Sequence, residues 1–204
     1  MELIQTKSID LSKAILIGQG THKRCFIHPN DRTKCIKIAY NSLGEKDLKR
    51  EIFYLNTPFR KNTPTHVLPK YYGPVDTNNG QGYIWELVQN DNGTPCFNLE
   101  NWLKDSKTSK EDTLINQAIL VLKHTLLKDE IITMSIWPEN ILLKKIGTSY
   151  LPVLVNDLGT SAYFPVIYYF SCLRKKHIRR RWIEFCKLAL TMASNTKKTF
   201  VKEW

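Results

Sequence analysis

The sequence predicts an α+β fold of two lobes, in which a small antiparallel sheet lobe is followed by a reduced, mostly helical lobe. Short strand-like segments separated by turns occupy residues 14–40 and 70–88, which is typical of an antiparallel sheet. Apolar side chains recur at helical spacing over residues 114–126, which predicts a long amphipathic helix. We therefore predict a first lobe of residues 1–93 and a second lobe of residues 94–204.

The composition is that of a folded protein with a strong excess of positive charge. Hydrophobic residues make up 42% of the 204 residues and charged residues 24%. Thirty Lys and Arg against nineteen Asp and Glu give a formal charge of +11, which favours polyanionic partners such as nucleotides, nucleic acid, acidic protein segments or anionic lipid headgroups. The five cysteines lack the spacing of a zinc site or a disulfide framework. No apolar run is long enough to span a membrane and the N-terminus lacks a signal-peptide layout, so we expect a cytoplasmic protein.

Two glycines and a lysine in the first lobe are candidate phosphate-binding residues. Gly18 and Gly20 lie between two predicted strands, where glycine lets backbone N–H groups approach phosphate oxygens. An ordinary glycine turn is the alternative, because Lys23 occupies the position of the third glycine in the usual loop. Lys37 lies on the following strand, residues 34–40, where a solvent-facing lysine on an edge strand is the alternative.

Glu51 is the predicted partner of Lys37. It belongs to a predicted helix at residues 46–56, in which Leu48, Ile52 and Leu55 share one face. An ion pair between Glu51 and Lys37 would orient the lysine toward phosphates. A local salt bridge on the helix surface, with the basic residues just before Glu51, is the alternative.

A second hairpin predicts a magnesium site in the second lobe. Two apolar runs, residues 141–143 and 151–155, flank a turn, and this hairpin would bring Asn140 close to Asp157. A carboxylate and an amide oxygen that converge on one point suit Mg²⁺ when the ion also holds phosphates.

These motifs resemble those of protein kinases. PENIL at residues 138–142 and DLG at residues 157–159 resemble the catalytic loop and the metal motif. The resemblance implies ATP or another purine nucleotide with Mg²⁺ in a cleft between the lobes, and a hinge at residues 89–93, for which a plain surface loop is the alternative. One position departs from the pattern, because Ser135 stands where kinases have their catalytic Asp. A hydroxyl is a poor base, so this exchange alone should lower a phosphotransfer rate by a factor of roughly 10²–10⁴.

A narrower resemblance covers residues 14 to about 187. GTHKRCFIHP at residues 20–29, CIKI at residues 35–38, TMS at residues 133–135 and CLRK at residues 172–175 are similar to segments of the bacterial PhoP regulatory network YrbL family, small proteins of kinase-like fold. This resemblance implies a cytoplasmic protein of Gram-negative bacteria that is linked to envelope or low-magnesium stress regulation. It supplies no reaction, and it implies that Ser135 belongs to the family's own pattern.

Three functions remain open from the sequence. The first is an atypical enzyme that transfers phosphate or another nucleotide-derived group. The second is a pseudokinase that binds a nucleotide and acts as a regulatory or adaptor protein. The third is a basic adaptor with a vestigial cleft, and the presence of both Asn140 and Asp157 argues against it.

The C-terminal part of the chain carries a basic run between two predicted helices, residues 165–173 and 178–193. A solvated charged linker is the usual meaning of such a run. Because apolar residues follow it directly, we predict that it docks an acidic protein or an anionic substrate, and nucleic acid is not favoured. The cations of this predicted surface are Arg174, Lys175, Lys176, Arg179, Arg180 and Arg181.

Overall fold

Two compact units make up the chain in a computed structural model. The model describes residues 8–61, 63, 65–107, 110–161, 166–194, 196, 198 and 200. The first unit contains the described residues up to Lys49 and then Pro69–Leu87, and the second contains Arg50–Leu68 and the described residues from Val88 onward. The α+β class is confirmed, and the lobe boundary between residues 93 and 94 stays a prediction.

A five-stranded antiparallel sheet forms the first unit, in the order β1-β2-β3-β5-β4. The strands are β1 (Leu16–Gln19), β2 (Lys23–Ile27), β3 (Lys34–Ala39), β4 (Tyr71–Thr77) and β5 (Gly80–Glu86). Leu11, Ile36 and Ile38 form a small apolar core against this sheet. The five predicted strands are therefore present, and β3 lies at the centre of the sheet rather than at its edge.

The first helices follow the third strand. Helix α1 (Ser42–Leu55) covers the predicted helix up to its last residue but one, and the short helix α2 (Pro58–Lys61) follows after two residues. Leu48, Glu51 and Tyr54 are buried at intervals of three residues, which is the spacing of one helix face. The face predicted to be apolar therefore also carries a buried carboxylate.

Helices and a three-stranded sheet form the rest of the second unit. The sheet order is β6-β7-β8, from β6 (Phe97–Asn98), β7 (Ile141–Ile146) and β8 (Ser149–Leu154), and β7 and β8 form the predicted antiparallel hairpin. The helices are α3 (Leu99–Lys104), α4 (Glu111–Lys128) and α5 (Ser171–Ala193), with 3-10 turns at Pro138–Asn140 and Val166–Tyr168. Helix α4 buries the predicted apolar positions except Leu114, which is partly buried. The buried positions are Ile115, Ala118, Ile119, Leu122 and Leu126.

The prediction of two C-terminal helices around a basic linker is wrong. A single helix, α5, runs from Ser171 to Ala193 and includes the whole basic run. The run contains no glycine or proline, and lysine and arginine favour helix formation. Ile178, Trp182 and Phe185 are buried at helical spacing, so packing favours a continuous helix through these positions. Residue 165, the predicted start of the first helix, lies outside the described residues.

In the described part of the chain, no helix combines the length and the apolar character needed to cross a bilayer.

Candidate functional site

The β7–β8 hairpin brings two of the predicted site residues together. Asn140 ends the 3-10 turn just before β7, and Asp157 follows β8 by three residues. The backbone N–H of Val155 donates to the carbonyl oxygen of Asn140 at 3.0 Å, which continues the hairpin beyond its last strand pair. The side-chain Nδ2 of Asn140 then donates to Oδ2 of Asp157 at 3.2 Å. The hairpin thus holds the two predicted metal ligands in direct contact.

Ser135 contacts the same carboxylate. Its Oγ donates to Oδ2 of Asp157 at 2.8 Å. The loop around it is fixed, because Thr133 Oγ1 and the backbone N–H of Met134 both donate to the carbonyl oxygen of Asp157 at 2.8 Å. In this arrangement the serine hydroxyl is a hydrogen-bond donor to a carboxylate, so it positions Asp157 and does not act as a base.

The backbone of Asp157 has a conformation that few residues adopt. Its φ is +64°, in the left-handed region where Asn and Asp are enriched over other non-glycine residues. Its N–H donates to Oε1 of Glu51 at 3.0 Å, and Glu51 is fully buried in α1. A buried carboxylate therefore fixes the turn that presents the Asp157 side chain, which is a role that the sequence did not reveal. The predicted Lys37–Glu51 ion pair stays a prediction.

Arg50 was missed as a site residue by reasoning from the sequence. Its guanidinium NH2 lies 3.8 Å from Oδ1 of Asp157, and its Nε donates to the carbonyl oxygen of Leu158 at 3.2 Å. Adjacent helix positions point about 100° apart, so Arg50 and Glu51 can both reach one loop. The available signal was the position of Arg50 directly before Glu51, which suggested no more than a local surface salt bridge as the alternative to the Lys37–Glu51 pair.

Asn156 was also missed. Its Nδ2 donates to Oδ1 of Asn140 at 3.0 Å, so both ends of the Asn140 amide are engaged. To offer Oδ1 to a cation beside Asp157, the Asn140 amide must rotate by about 180°, which breaks both hydrogen bonds unless the Asn156 amide turns as well. The amide position is therefore set by its neighbours and can change when a cation competes for the same carboxylate.

The donors fit Mg²⁺ that arrives with phosphate better than a cation held by protein alone. Mg²⁺ commonly uses one or two carboxylates and completes its octahedron with waters and phosphate oxygens. Asp157 supplies one carboxylate and Asn140 one amide oxygen. Within residues that the structure describes, no cluster of three or more His, Cys, Asp or Glu side chains could form a protein-only cage.

Lys37 is buried in the first unit. Only 7% of the residue is exposed, on the central strand β3, which rules out a solvent-facing lysine on an edge strand. Its Nζ lies 4.7 Å from the centroid of the Trp85 ring, a distance at which a cation is attracted to the π face. A charged group kept this far from water has a large desolvation cost unless charge or polar groups compensate it.

Gly18 and Gly20 have room for side chains. A Cβ added to Gly18 would lie 3.8 Å from its nearest neighbour, and one added to Gly20 would lie 4.0 Å away. Both distances are ordinary van der Waals contacts, so packing within the protein does not explain either glycine. The backbone N–H of Gly20 donates to the carbonyl oxygen of Lys23 at 3.0 Å, which closes a tight turn between β1 and β2.

The predicted cationic surface is only partly available. Arg174 is bonded to Glu130 at 2.5 Å and to the carbonyl oxygen of Tyr168 at 2.8 Å, and its guanidinium lies 4.7 Å from the centroid of the Phe59 ring. Arg181 donates to Glu184 at 2.7 Å. Arg174 therefore joins α5 to other segments of the second unit and Arg181 forms a pair within α5, whereas the exposed cations of the run lie elsewhere on the helix. The exposed cations are Lys175, Lys176, Arg179 and Arg180.

His177 links α5 to the Ser135 loop, because its Nε2 lies 2.8 Å from the carbonyl oxygen of Thr133. Burial lowers the pKa of His177 below its ordinary value of 6.5; Arg180 and Arg181 act in the same direction, and Thr133 and Glu184 oppose it. Below that ordinary value the unfolded chain binds a proton that the folded chain binds less readily, so folding loses stability as the pH falls.

We therefore expect acidification from about pH 7.5 to about pH 5.5 to destabilise the wild type more than His177→Gln. Glutamine retains a side-chain donor but does not titrate. Urea unfolding at both pH values measures the difference in the free energy of unfolding. His124→Gln is the matched control, because it makes the same exchange at an exposed histidine of α4. Equal losses in the wild type and in His177→Gln would show that protonation of His177 does not affect folding.

Comparison with known proteins agrees with the resemblance seen in the sequence. A family model described as PhoP regulatory network protein YrbL matches residues 9–189. Protein YrbL of Escherichia coli (strain K12) is 32% identical over 182 residues, which cover 87% of this chain and 86% of the relative. Protein YrbL of Shigella flexneri matches with the same identity and coverage. The chain therefore belongs to the PhoP regulatory network protein YrbL family.

Proposed function

We propose that this chain has a kinase-like two-lobe fold and binds a purine nucleotide, with ATP as the first candidate, together with Mg²⁺. The observation that carries this proposal is the contact of Ser135 and Asn140 with one carboxylate oxygen of Asp157. The turn that presents this carboxylate is bonded to buried Glu51, so the group is fixed before any ligand arrives. A fixed carboxylate beside an amide is the arrangement that a phosphate-bound Mg²⁺ needs.

Each predicted residue has a defined part in this proposal. Asn140 and Asp157 hold Mg²⁺, which when bound neutralises phosphate charge. Lys37 contacts the phosphates, and its burial is consistent with a charge that meets a ligand rather than bulk water. Gly18 and Gly20 have no side chain, so phosphate oxygens can approach their backbone N–H groups. The open space around both positions supports this role, because crowding by neighbouring atoms does not explain the two glycines.

Ser135 distinguishes group transfer from regulation. Its hydroxyl donates to Asp157 and is not placed to accept a proton from a substrate. A regulator that only binds a nucleotide needs no catalytic base, so Ser135 is compatible with that function. Transfer of phosphate or another nucleotide-derived group is the second candidate, and the fixed carboxylate of Asp157 favours it, because phosphoryl transfer depends mainly on positioning and charge neutralisation.

The family suggests the cellular process in which this chain acts. The description of the family names the PhoP regulatory network. We propose that the chain acts in the bacterial cytoplasm, in envelope or low-magnesium stress regulation, as the family resemblance of the sequence implies.

Thermal unfolding with nucleotides tests the proposal. At about 100 times its dissociation constant, a ligand that binds only the folded chain adds about 2.7 kcal/mol to the free energy of unfolding. We expect this gain with ATP and Mg²⁺ and a smaller one with ATP and a chelator. Lys37→Met should reduce both gains, because it retains an apolar stem beside Trp85 and removes the charge.

Two outcomes decide between the alternatives. If no purine nucleotide shifts the melting temperature with or without Mg²⁺, nucleotide binding is wrong. If ATP binds, intact mass measured after incubation with Mg²⁺ and ATP shows whether the chain modifies itself. Added mass that disappears in Asp157→Asn supports transfer, and an unchanged mass supports the regulator.

A further inference from the structure

Large apolar side chains are exposed where α5 begins. Tyr169 is 80% exposed, Phe170 54% and Leu173 40%. Ile183, nearly three turns beyond Leu173 along the helix, is 41% exposed. Soluble proteins seldom expose several aromatic and aliphatic side chains together unless the surface meets a partner.

Cations share this face of α5. Leu173, Lys176, Arg180 and Ile183 are separated by three, four and three residues, so they lie along one side of the helix. The opposite side is buried, through Ile178, Trp182 and Phe185. We call this exposed side, together with Tyr169 and Phe170 just before the helix and Arg179 beside it, the aromatic–basic face. Its members are Tyr169, Phe170, Leu173, Lys176, Arg179, Arg180 and Ile183.

The cations of the aromatic–basic face are exposed to solvent and are spread along α5. Lys176 and Arg179 are exposed, and the Arg180 side chain is 62% exposed, with its Nε 3.8 Å from Glu184. Exposed Lys187 continues the row, so that the cations extend over about 16 Å at roughly 1.5 Å per residue. Such a row does not converge on a single phosphate group, and it suits an extended anionic surface.

We propose that the aromatic–basic face docks this chain on the surface of an anionic lipid bilayer. Aromatic side chains are favourable at the level of lipid headgroups, where their apolar rings are covered and polar edges stay wet. Clustered Lys and Arg are attracted to the negative surface potential of such a membrane. An acidic protein segment is less favoured, because the exposed apolar side chains stand on an open helix face rather than in a groove that would fix one peptide. This inference goes beyond nucleotide binding and does not depend on it.

Co-sedimentation of the full chain with vesicles tests the proposal. The vesicles contain phosphatidylglycerol mixed equally with phosphatidylcholine, and phosphatidylcholine alone is the neutral comparison. We expect salt-sensitive binding to the anionic vesicles. In Lys176→Gln/Arg179→Gln/Arg180→Gln the partition should fall on the order of 100-fold, because each cation contributes about fivefold. In Tyr169→Ser/Phe170→Ser/Leu173→Ser binding should also fall, and the loss should persist at low salt.

A control variant removes the same charge elsewhere. Lys13→Gln/Lys46→Gln/Lys49→Gln exchanges three exposed lysines of the first unit and should bind the vesicles as the wild type does. Circular dichroism checks that each variant keeps its helices. Equal loss in the control variant, equal binding to neutral vesicles, or binding to an acidic peptide or DNA without vesicle binding would each overturn the proposal.

Discussion

Replacing Asp157 with asparagine should abolish the Mg²⁺-dependent part of nucleotide stabilisation. Asparagine is nearly isosteric with aspartate, tolerates the φ of +64°, and can still accept the Ser135 hydroxyl through its oxygen. The change therefore removes the negative charge and keeps the turn. The weak pairing with Arg50 at 3.8 Å contributes about 0–1 kcal/mol, so the unliganded protein should keep most of its stability.

The measurement compares melting temperatures with ATP, in Mg²⁺ and in chelator, for both proteins. In the wild type we expect the Mg²⁺ sample to melt higher, and in Asp157→Asn we expect the two samples to coincide. Asp157→Ala should lose the Mg²⁺ effect in the same way. Its free energy of unfolding should also fall by about 1–3 kcal/mol, because alanine is strained at this φ. A folded Asp157→Asn protein that keeps the full Mg²⁺ effect would show that the cation binds elsewhere.

Ser135→Asp should make the stability of the protein depend on Mg²⁺ even without nucleotide. The new carboxylate would lie where a hydroxyl now approaches Oδ2 of Asp157 at 2.8 Å. Two like charges at about 4 Å repel by roughly 4 kcal/mol at an effective dielectric constant of 20, and uptake of a proton relieves part of this. We therefore expect a loss of about 2–4 kcal/mol in chelator at neutral pH, and recovery in millimolar Mg²⁺, because one cation can be shared by both carboxylates.

Urea unfolding in chelator and in Mg²⁺ measures this effect. Ser135→Asn is the matched control, because it has similar size to aspartate and carries no charge, so its stability should not respond to Mg²⁺. If Ser135→Asp is equally stable with and without the cation, then the side chains at positions 135 and 157 do not face a common cation position.

Much of the candidate site follows from short-range sequence patterns. The apolar runs on either side of residues 147–149 indicate a hairpin, and a hairpin requires that Asn140 and Asp157 meet. The strands around Lys37 were likewise predicted from alternation and turns. These inferences succeed because hairpin pairing depends on residues that are close in the sequence.

Contacts between distant segments could not be predicted in the same way. Arg50 and Glu51 reach Asp157 and Leu158 from more than 100 residues earlier in the chain, and no local pattern reports that contact. The continuous helix α5 was missed for a different reason. A dense run of cations suggested a solvated linker, whereas Ile178 and Trp182 secure the helix by packing on its opposite side.

We propose above that Asn140 and Asp157 hold the metal of a bound Mg²⁺-nucleotide. Manganese tests it directly, because Mn²⁺ replaces Mg²⁺ at oxygen sites and broadens the NMR signals of nearby nuclei. We expect Mn²⁺ with ATP to broaden the backbone amide signals of Ser135, Asn140 and Asp157 in the wild type and to leave them sharp in Asp157→Asn. Unchanged signals in a wild-type protein that demonstrably binds ATP and Mn²⁺ would contradict the claim.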